Sequence, residues 1–159
     1  MKKSSTIFLR VVIAALGIVA LAIMVRFPLT EGRAVNLDLF SIYVDPFIIY
    51  GYVVSIAFFV ALYQAFKLLG LVGQNKVFSI SSVRALRNIK YCAIILSASI
   101  VMAVLFIMTS HNKDDDPAGF IAIAILTTFI SIVIATTATV FERTLQNAVD
   151  IKSENDLTV

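Results

Sequence analysis

The chain predicts an all-α polytopic membrane protein, with four transmembrane helices in one antiparallel bundle and both termini in the cytoplasm. Of the 159 residues 60% are hydrophobic and only 14% charged, whereas a soluble domain carries about 25% charge. Four apolar runs each approach or exceed the roughly 20 residues needed to cross a bilayer core about 30 Å thick. The cations are also distributed unequally among the loops that those runs define. This composition excludes a soluble globular fold, a disordered chain and a nucleic-acid binder working through a basic surface. A lone cysteine, Cys92, allows no internal disulfide, and no Cys and His cluster has zinc spacing.

The first span runs from Ile7 to Val25, behind Lys2 and Lys3. Ala20 and Ala22 form an A-x-A pattern like a signal-peptide cleavage site, but Ile23, Met24 and Val25 carry the apolar run past that point. A retained span is therefore expected. The following segment, Arg26 to Asp45, is half apolar through Val35, Leu37, Leu39, Phe40, Ile42, Tyr43 and Val44. It suits an interfacial cap on the bundle, with a peptide- or lipid-docking surface as the alternative.

Span two, Phe47 to Leu69, opens on Asp45-Pro46, where a carboxylate caps free N–H groups and proline takes the first helical position. Gly70 and Gly73 fit a helix stop behind it. Span three is Ile89 to Met108, and span four, Ala118 to Phe141, opens on Asp116-Pro117 with Asp114 and Asp115 also at the positive end of its dipole. The spans and a short cytoplasmic tail, 142–159, make one domain. With the N-terminus inside, Lys2, Lys3, Arg10, Lys67, Lys76, Arg84, Arg87, Lys90, Arg143 and Lys152 lie on the cytoplasmic side, against Arg26, Arg33 and Lys113 outside. That bias sets the orientation and implies a multi-pass protein of the cell's inner (plasma) membrane.

Ridges of small residues recur every four positions, as Ala57, Ala61 and Ala65 in span two and as Thr127, Ser131, Ala135 and Thr139 in span four. Such ridges let helix backbones approach in lipid, so both are expected to face the bundle. Chemistry is harder to find. His111 with Asp114, Asp115 and Asp116 is better explained by helix capping than by a metal, because consecutive aspartates rarely converge on one ion. No Gly-rich phosphate loop, nucleophile elbow or zincin motif is present, so neither an enzyme nor a cofactor is expected. Nor does a carboxylate or histidine sit at mid-membrane as a proton-coupled transporter would require. Gln64, about 9 Å past the middle of span two at the helical rise, is expected to bond to a neighbouring helix, and Cys92 to be a packed thiol. Arg10 and Lys67 lie where they can snorkel, and an Arg10–Glu142 contact is open to them.

Patterned residues gather at the inner face. Arg84, Arg87 and Lys90 fall three apart behind Phe78, Ser79, Ser81 and Ser82, presenting one basic side to anionic headgroups or an acidic partner. Phe141, Leu145 and Val149 continue the apolar period of span four beyond the membrane, and Glu154, Asp156, Leu157 and Val159 close the chain. Glu154, Asp156 and the terminal carboxylate bring negative charge within reach of the three cations, as a weak latch that a partner can displace.

The four-span layout, Phe78-Ser79 with Leu86-Arg87-Asn88-Ile89, and the ending Ala148-x-x-Ile151-Lys152-x-Glu154-Asn155-Asp156-Leu157-Thr158-Val159 resemble the bacterial membrane family called domain of unknown function 2975. The resemblance implies no reaction and no catalytic residues. Members of that family are often encoded beside a small helix-turn-helix regulator, which implies a membrane protein in communication with a cytoplasmic transcription factor. A non-enzymatic regulator or sensor docking such a partner through the ten residues Arg84, Arg87, Lys90, Phe141, Leu145, Val149, Glu154, Asp156, Leu157 and Val159 is therefore expected. A small transporter, channel or peptide-immunity protein is the alternative. The partners open to the protein are the lipid bilayer, a cytoplasmic regulatory protein and a second copy in a homo-oligomer, and no direct nucleic-acid contact is expected.

Overall fold

The structure, a computed structural model, describes residues 3–30, 38–110 and 118–157. Five helices follow one another: α1 (Lys3–Thr30), α2 (Leu39–Tyr43), α3 (Pro46–Gly73), α4 (Ile80–Ser110) and α5 (Ala118–Leu157). There is no strand among the described residues. All but α2 are long and apolar enough to cross a membrane, so the chain is a multi-pass α-helical membrane protein. Each long helix contains one of the predicted apolar runs and extends beyond it. The 40 residues of α5 measure about 60 Å at the helical rise, about twice the hydrocarbon thickness of a bilayer.

The helix ends follow local chemistry. At the start of α3 the Asp45 carboxylate accepts hydrogen bonds from the Phe47 and Ile48 N–H groups at 2.8 and 3.4 Å, with Pro46 next to it at the first helical position. Helix α3 runs through Gly70 and ends at Gly73, as expected of a glycine stop, but the left-handed residue that closes it is Asn75, whose φ is 57°. There the Lys76 N–H donates to the Leu71 carbonyl at 2.9 Å and the Asn75 N–H to the Val72 carbonyl at 3.2 Å, a Schellman closure built on asparagine. The glycines also serve packing. A Cβ on Gly70 would lie 2.8 Å from the Arg10 guanidinium, and one on Gly73 would lie 3.2 Å from the Thr6 methyl, so both admit α1 against α3.

Ser79 caps α4. Its hydroxyl accepts from the Ser82 N–H at 3.3 Å and donates to the Lys76 carbonyl at 2.8 Å, while the Ser82 hydroxyl donates to the same carbonyl at 3.3 Å. Near the other end of the bundle, Pro28 lies inside α1 and is fully buried. Proline has no N–H, so the carbonyl of Met24 loses its helical donor. The Tyr52 hydroxyl of α3 donates to that carbonyl at 3.0 Å, and the Tyr43 hydroxyl donates to the adjacent carbonyl of Val25 at 3.0 Å.

The long helices pack in chain order, α1 on α3, α3 on α4 and α4 on α5, and the last of these interfaces is the most extensive. No comparable interface joins α1 to α5 among the described residues, so the antiparallel bundle is open between its first and last spans. The buried stripe of α5 is Ala124, Ser131, Ala135 and Ala138. Of the expected ridge, Ser131 and Ala135 are buried, Thr139 is half-buried and Thr127 is exposed; Ala57, Ala61 and Ala65 on α3 are half-buried. Helix α4 contributes Ala85, Cys92, Ala93 and Ala103, small buried residues with no four-residue period to betray them. Cys92 is a buried free thiol, as expected of a packing residue.

In the segment after α1, Ile42 is buried and Tyr43 is tied to α1, whereas Leu39 and Phe40 remain exposed. Val35 and Leu37 lie outside the described residues, as do His111, Asp114, Asp115 and the Asp116-Pro117 cap.

Candidate functional site

The charged end of the bundle is where α4 begins and α5 overshoots the apolar run of span four. Its scaffold is the most tightly packed part of the protein: Ser82, Val83 and Ala85 are 2% exposed or less, with Leu86 and Glu142 buried beside them. The physical reason is the change of solvent. Apolar groups gain nothing by leaving lipid for protein, but at and beyond the membrane surface they must be hidden from water.

On this scaffold Glu142 of α5 holds two cations of α4. The Arg87 Nε donates to Glu142 Oε1 at 2.7 Å, and the Lys90 Nζ donates to Oε2 at 2.7 Å. The side chains of Glu142 and Lys90 are 10% and 18% exposed, whereas that of Arg87 is 51% exposed. The cluster carries one negative and two positive charges, and both carboxylate oxygens are used. Arg87 and Lys90 are thus engaged by Glu142, the residue directly after the apolar run. Glu142 was legible as a partner by depth alone. It follows span four directly, at the level where span three begins, and it is the acid nearest to Arg87 and Lys90 in depth.

The Arg10–Glu142 contact is not formed. Arg10 instead lies over the Phe66 ring, 5.3 Å from its centroid, in the space left by Gly70, and its Nε is buried without a hydrogen-bond partner among the described residues. Of the other expected site residues, Arg84 and Phe141 are exposed, Leu145 and Val149 are half-buried, and Glu154 is exposed on the last turns of α5. The apolar stripe of the extension therefore turns inward through Leu145 and Val149, while Phe141 faces outward. The side chains of Asp156 and Leu157, and all of Val159, lie outside the described residues.

A second feature was not anticipated. Between the α3–α4 turn and the extension of α5 lies a cleft of about 540 Å³, bordered by Lys76, Phe78 and Ser79 on one side and Ala148, Ile151 and Lys152 on the other. Phe78 and Ile151 are 60% and 62% exposed. Neither lysine is paired with an acid among the described residues. The sequence signal for this pair was weak, because the two lysines are 76 positions apart and only the overshoot of α5 brings them to one cleft.

Within the membrane, the hydroxyls of Thr127, Thr136 and Thr139 donate to carbonyls of their own helix, at 2.8, 2.9 and 2.8 Å. These three are spent on the backbone. Gln64 is half-buried and makes no hydrogen bond among the described residues, contrary to the expected tie to a neighbouring helix. No group of His, Cys, Asp and Glu that could hold a metal ion occurs among the described residues.

Fold and site together define a multi-pass helical membrane protein with a cationic, part-apolar cleft at one end. The chain belongs to the family described as protein of unknown function (DUF2975), whose model matches residues 28–159, in agreement with the resemblance carried by its α4 approach and its terminal stretch. It is 44% identical over 164 residues, covering 100% of both chains, to the uncharacterized membrane protein YoaS of Bacillus subtilis (strain 168). No solved structure matches it.

Proposed function

We propose that the protein is a non-enzymatic regulator of the inner (plasma) membrane whose charged end faces the cytoplasm and docks a small acidic regulatory protein. The observation that carries this reading is the cleft, in which unpaired Lys76 and Lys152 flank exposed Phe78 and Ile151. An apolar floor between two cations suits a short acidic segment with one or two apolar anchors, in the manner of hot spots ringed by charge. A helix-turn-helix regulator is the partner implied by the family resemblance. Orientation follows from the ten-to-three bias of Lys and Arg across the predicted loops. The transporter or channel alternative draws less support, since the hydroxyls of Thr127, Thr136 and Thr139 on α5 are bonded to their own helix.

The test is a photoreactive residue at Ile151 in the native cell. One small cytoplasmic protein should be crosslinked, and Lys76→Glu with Lys152→Glu should remove that adduct. Crosslinking to lipid alone, or to a protein whose yield ignores the charge reversal, overturns the reading.

A further inference from the structure

At the opposite end of the bundle a cavity of about 330 Å³ lies among α1, α3, α4 and α5, where all four spans meet around a common space. We propose that it binds a single uncharged hydrocarbon group, carried by a lipophilic molecule with at most one polar group. This inference is independent of the docking reading above.

The wall chemistry decides the class of ligand. Phe27, Pro28, Phe47 and Phe120 line the cavity with apolar surface. Tyr50 and Tyr52 also line it, but their hydroxyls donate to the carbonyls of Ser99 and Met24, at 2.8 and 3.0 Å, and so present ring carbon to the space. The Thr127 hydroxyl is bonded to the Ile123 carbonyl. Among the described residues only the Ser99 hydroxyl remains on the wall without a partner. A charged or strongly polar ligand would lose its hydration there and gain nothing in return.

Size and depth agree. An apolar cavity of about 150 Å³ already stays dry and accepts a benzene-sized guest, and ligand pockets begin at about 300 Å³. The lining runs from Phe47 to Val54 on α3 and from Phe120 to Thr127 on α5, a depth of about 10 Å at the helical rise, which carries it below the membrane surface. Gly51 also lines the cavity, and a Cβ built there meets nothing within 4 Å, so the space is not already filled by a neighbour.

The hydrocarbon can come from a membrane lipid or from a free lipophile, and two probes separate these sources. The full chain is reconstituted in phosphatidylethanolamine–phosphatidylglycerol vesicles with either a phosphatidylglycerol bearing a diazirine in its acyl chain or a free long-chain alcohol bearing the same group. Adducts are mapped after illumination. In at least one arm, labelling of Phe47, Tyr50 and Phe120 should saturate and be displaced by the unlabelled probe, while labelling of lipid-facing Val53 should not. Gly51→Leu should reduce the saturable component by roughly tenfold or more, by filling the pocket. Thr127→Leu supplies a second filling variant and decides the matter if Gly51→Leu does not fold. Labelling that fails to saturate in both arms, or that a folded filling variant leaves unchanged, overturns the proposal.

Discussion

Proline and tyrosine at the end of the bundle away from Glu142 form a compensating pair. Pro28 removes the donor for the Met24 carbonyl, and the Tyr52 hydroxyl restores one from a different helix. In lipid an interhelical hydrogen bond is worth about 0.6 kcal/mol on average and up to about 2. Tyr52→Phe should therefore cost about 1 kcal/mol, read as thermal or steric-trap stability in detergent. In a Pro28→Ala background the backbone N–H returns, and the same substitution should cost less than half as much. Equal costs in both backgrounds would show that the hydroxyl does not answer the missing amide. Such coupling is what a double-mutant cycle isolates.

Glu142 calls for a different balance at the same scale. It is buried and answers two cations, so Glu142→Gln leaves Lys90 with little water and no counter-ion. A loss of about 1–3 kcal/mol is expected, in the range of hydrogen bonds to charged groups. Arg87→Gln should cost under about 1 kcal/mol, because Arg87 is half exposed and Lys90 still holds the carboxylate. Thermal unfolding of the two variants side by side gives the order, and a larger loss for Arg87→Gln would contradict it.

Among the elements, α1 and α3 show how a glycine read as a stop also serves as a seat. Gly73 lies against the buried Thr6 methyl, which has little room to yield, whereas Gly70 faces the tip of a flexible arginine. Gly70→Ala should be close to neutral, since displacement of Arg10 is offset by the better helix propensity of alanine, worth about 1 kcal/mol. Gly73→Leu should separate α1 from α3 and lower the unfolding temperature clearly. Failure of Gly73→Leu to do so would remove close approach as the reason for the glycine. Helix α5 makes the complementary point. Its apolar period was plain in the sequence, but Leu145 and Val149 turn inward and Phe141 outward because Glu142 must face α4 to meet Arg87 and Lys90.

For the molecule as a whole, orientation is the property that charge placement addresses and packing does not. Single cysteines in a Cys92→Ser background test it, one replacing exposed Phe40 on α2 and one replacing Asn155 near the end of α5. An impermeant thiol reagent added to intact cells should label the first and spare the second. Labelling of Asn155→Cys from outside would invert the topology. The architecture is also uneven, with the tightest packing at the charged end and long lipid-facing stretches along α1, where Ile7, Phe8 and Ile18 are each 60% exposed or more. A bilayer covers those faces, so their exposure costs nothing in the membrane.

Four spans, their order and the Asp45-Pro46 helix start were all legible in the chain, because hydrophobic length and capping chemistry are local properties that need no neighbour to be read. The cleft between Lys76 and Lys152, the two-cation geometry of Glu142, the Tyr52 answer to Pro28 and the apolar cavity were decided by the tertiary structure. Each depends on the rotation of one helix about its axis and on its depth against another. In lipid the hydrophobic effect does not select that rotation, since an apolar face is equally at home against acyl chains or protein. It is set by the few polar atoms that must find partners and by small residues such as Gly73 that allow contact.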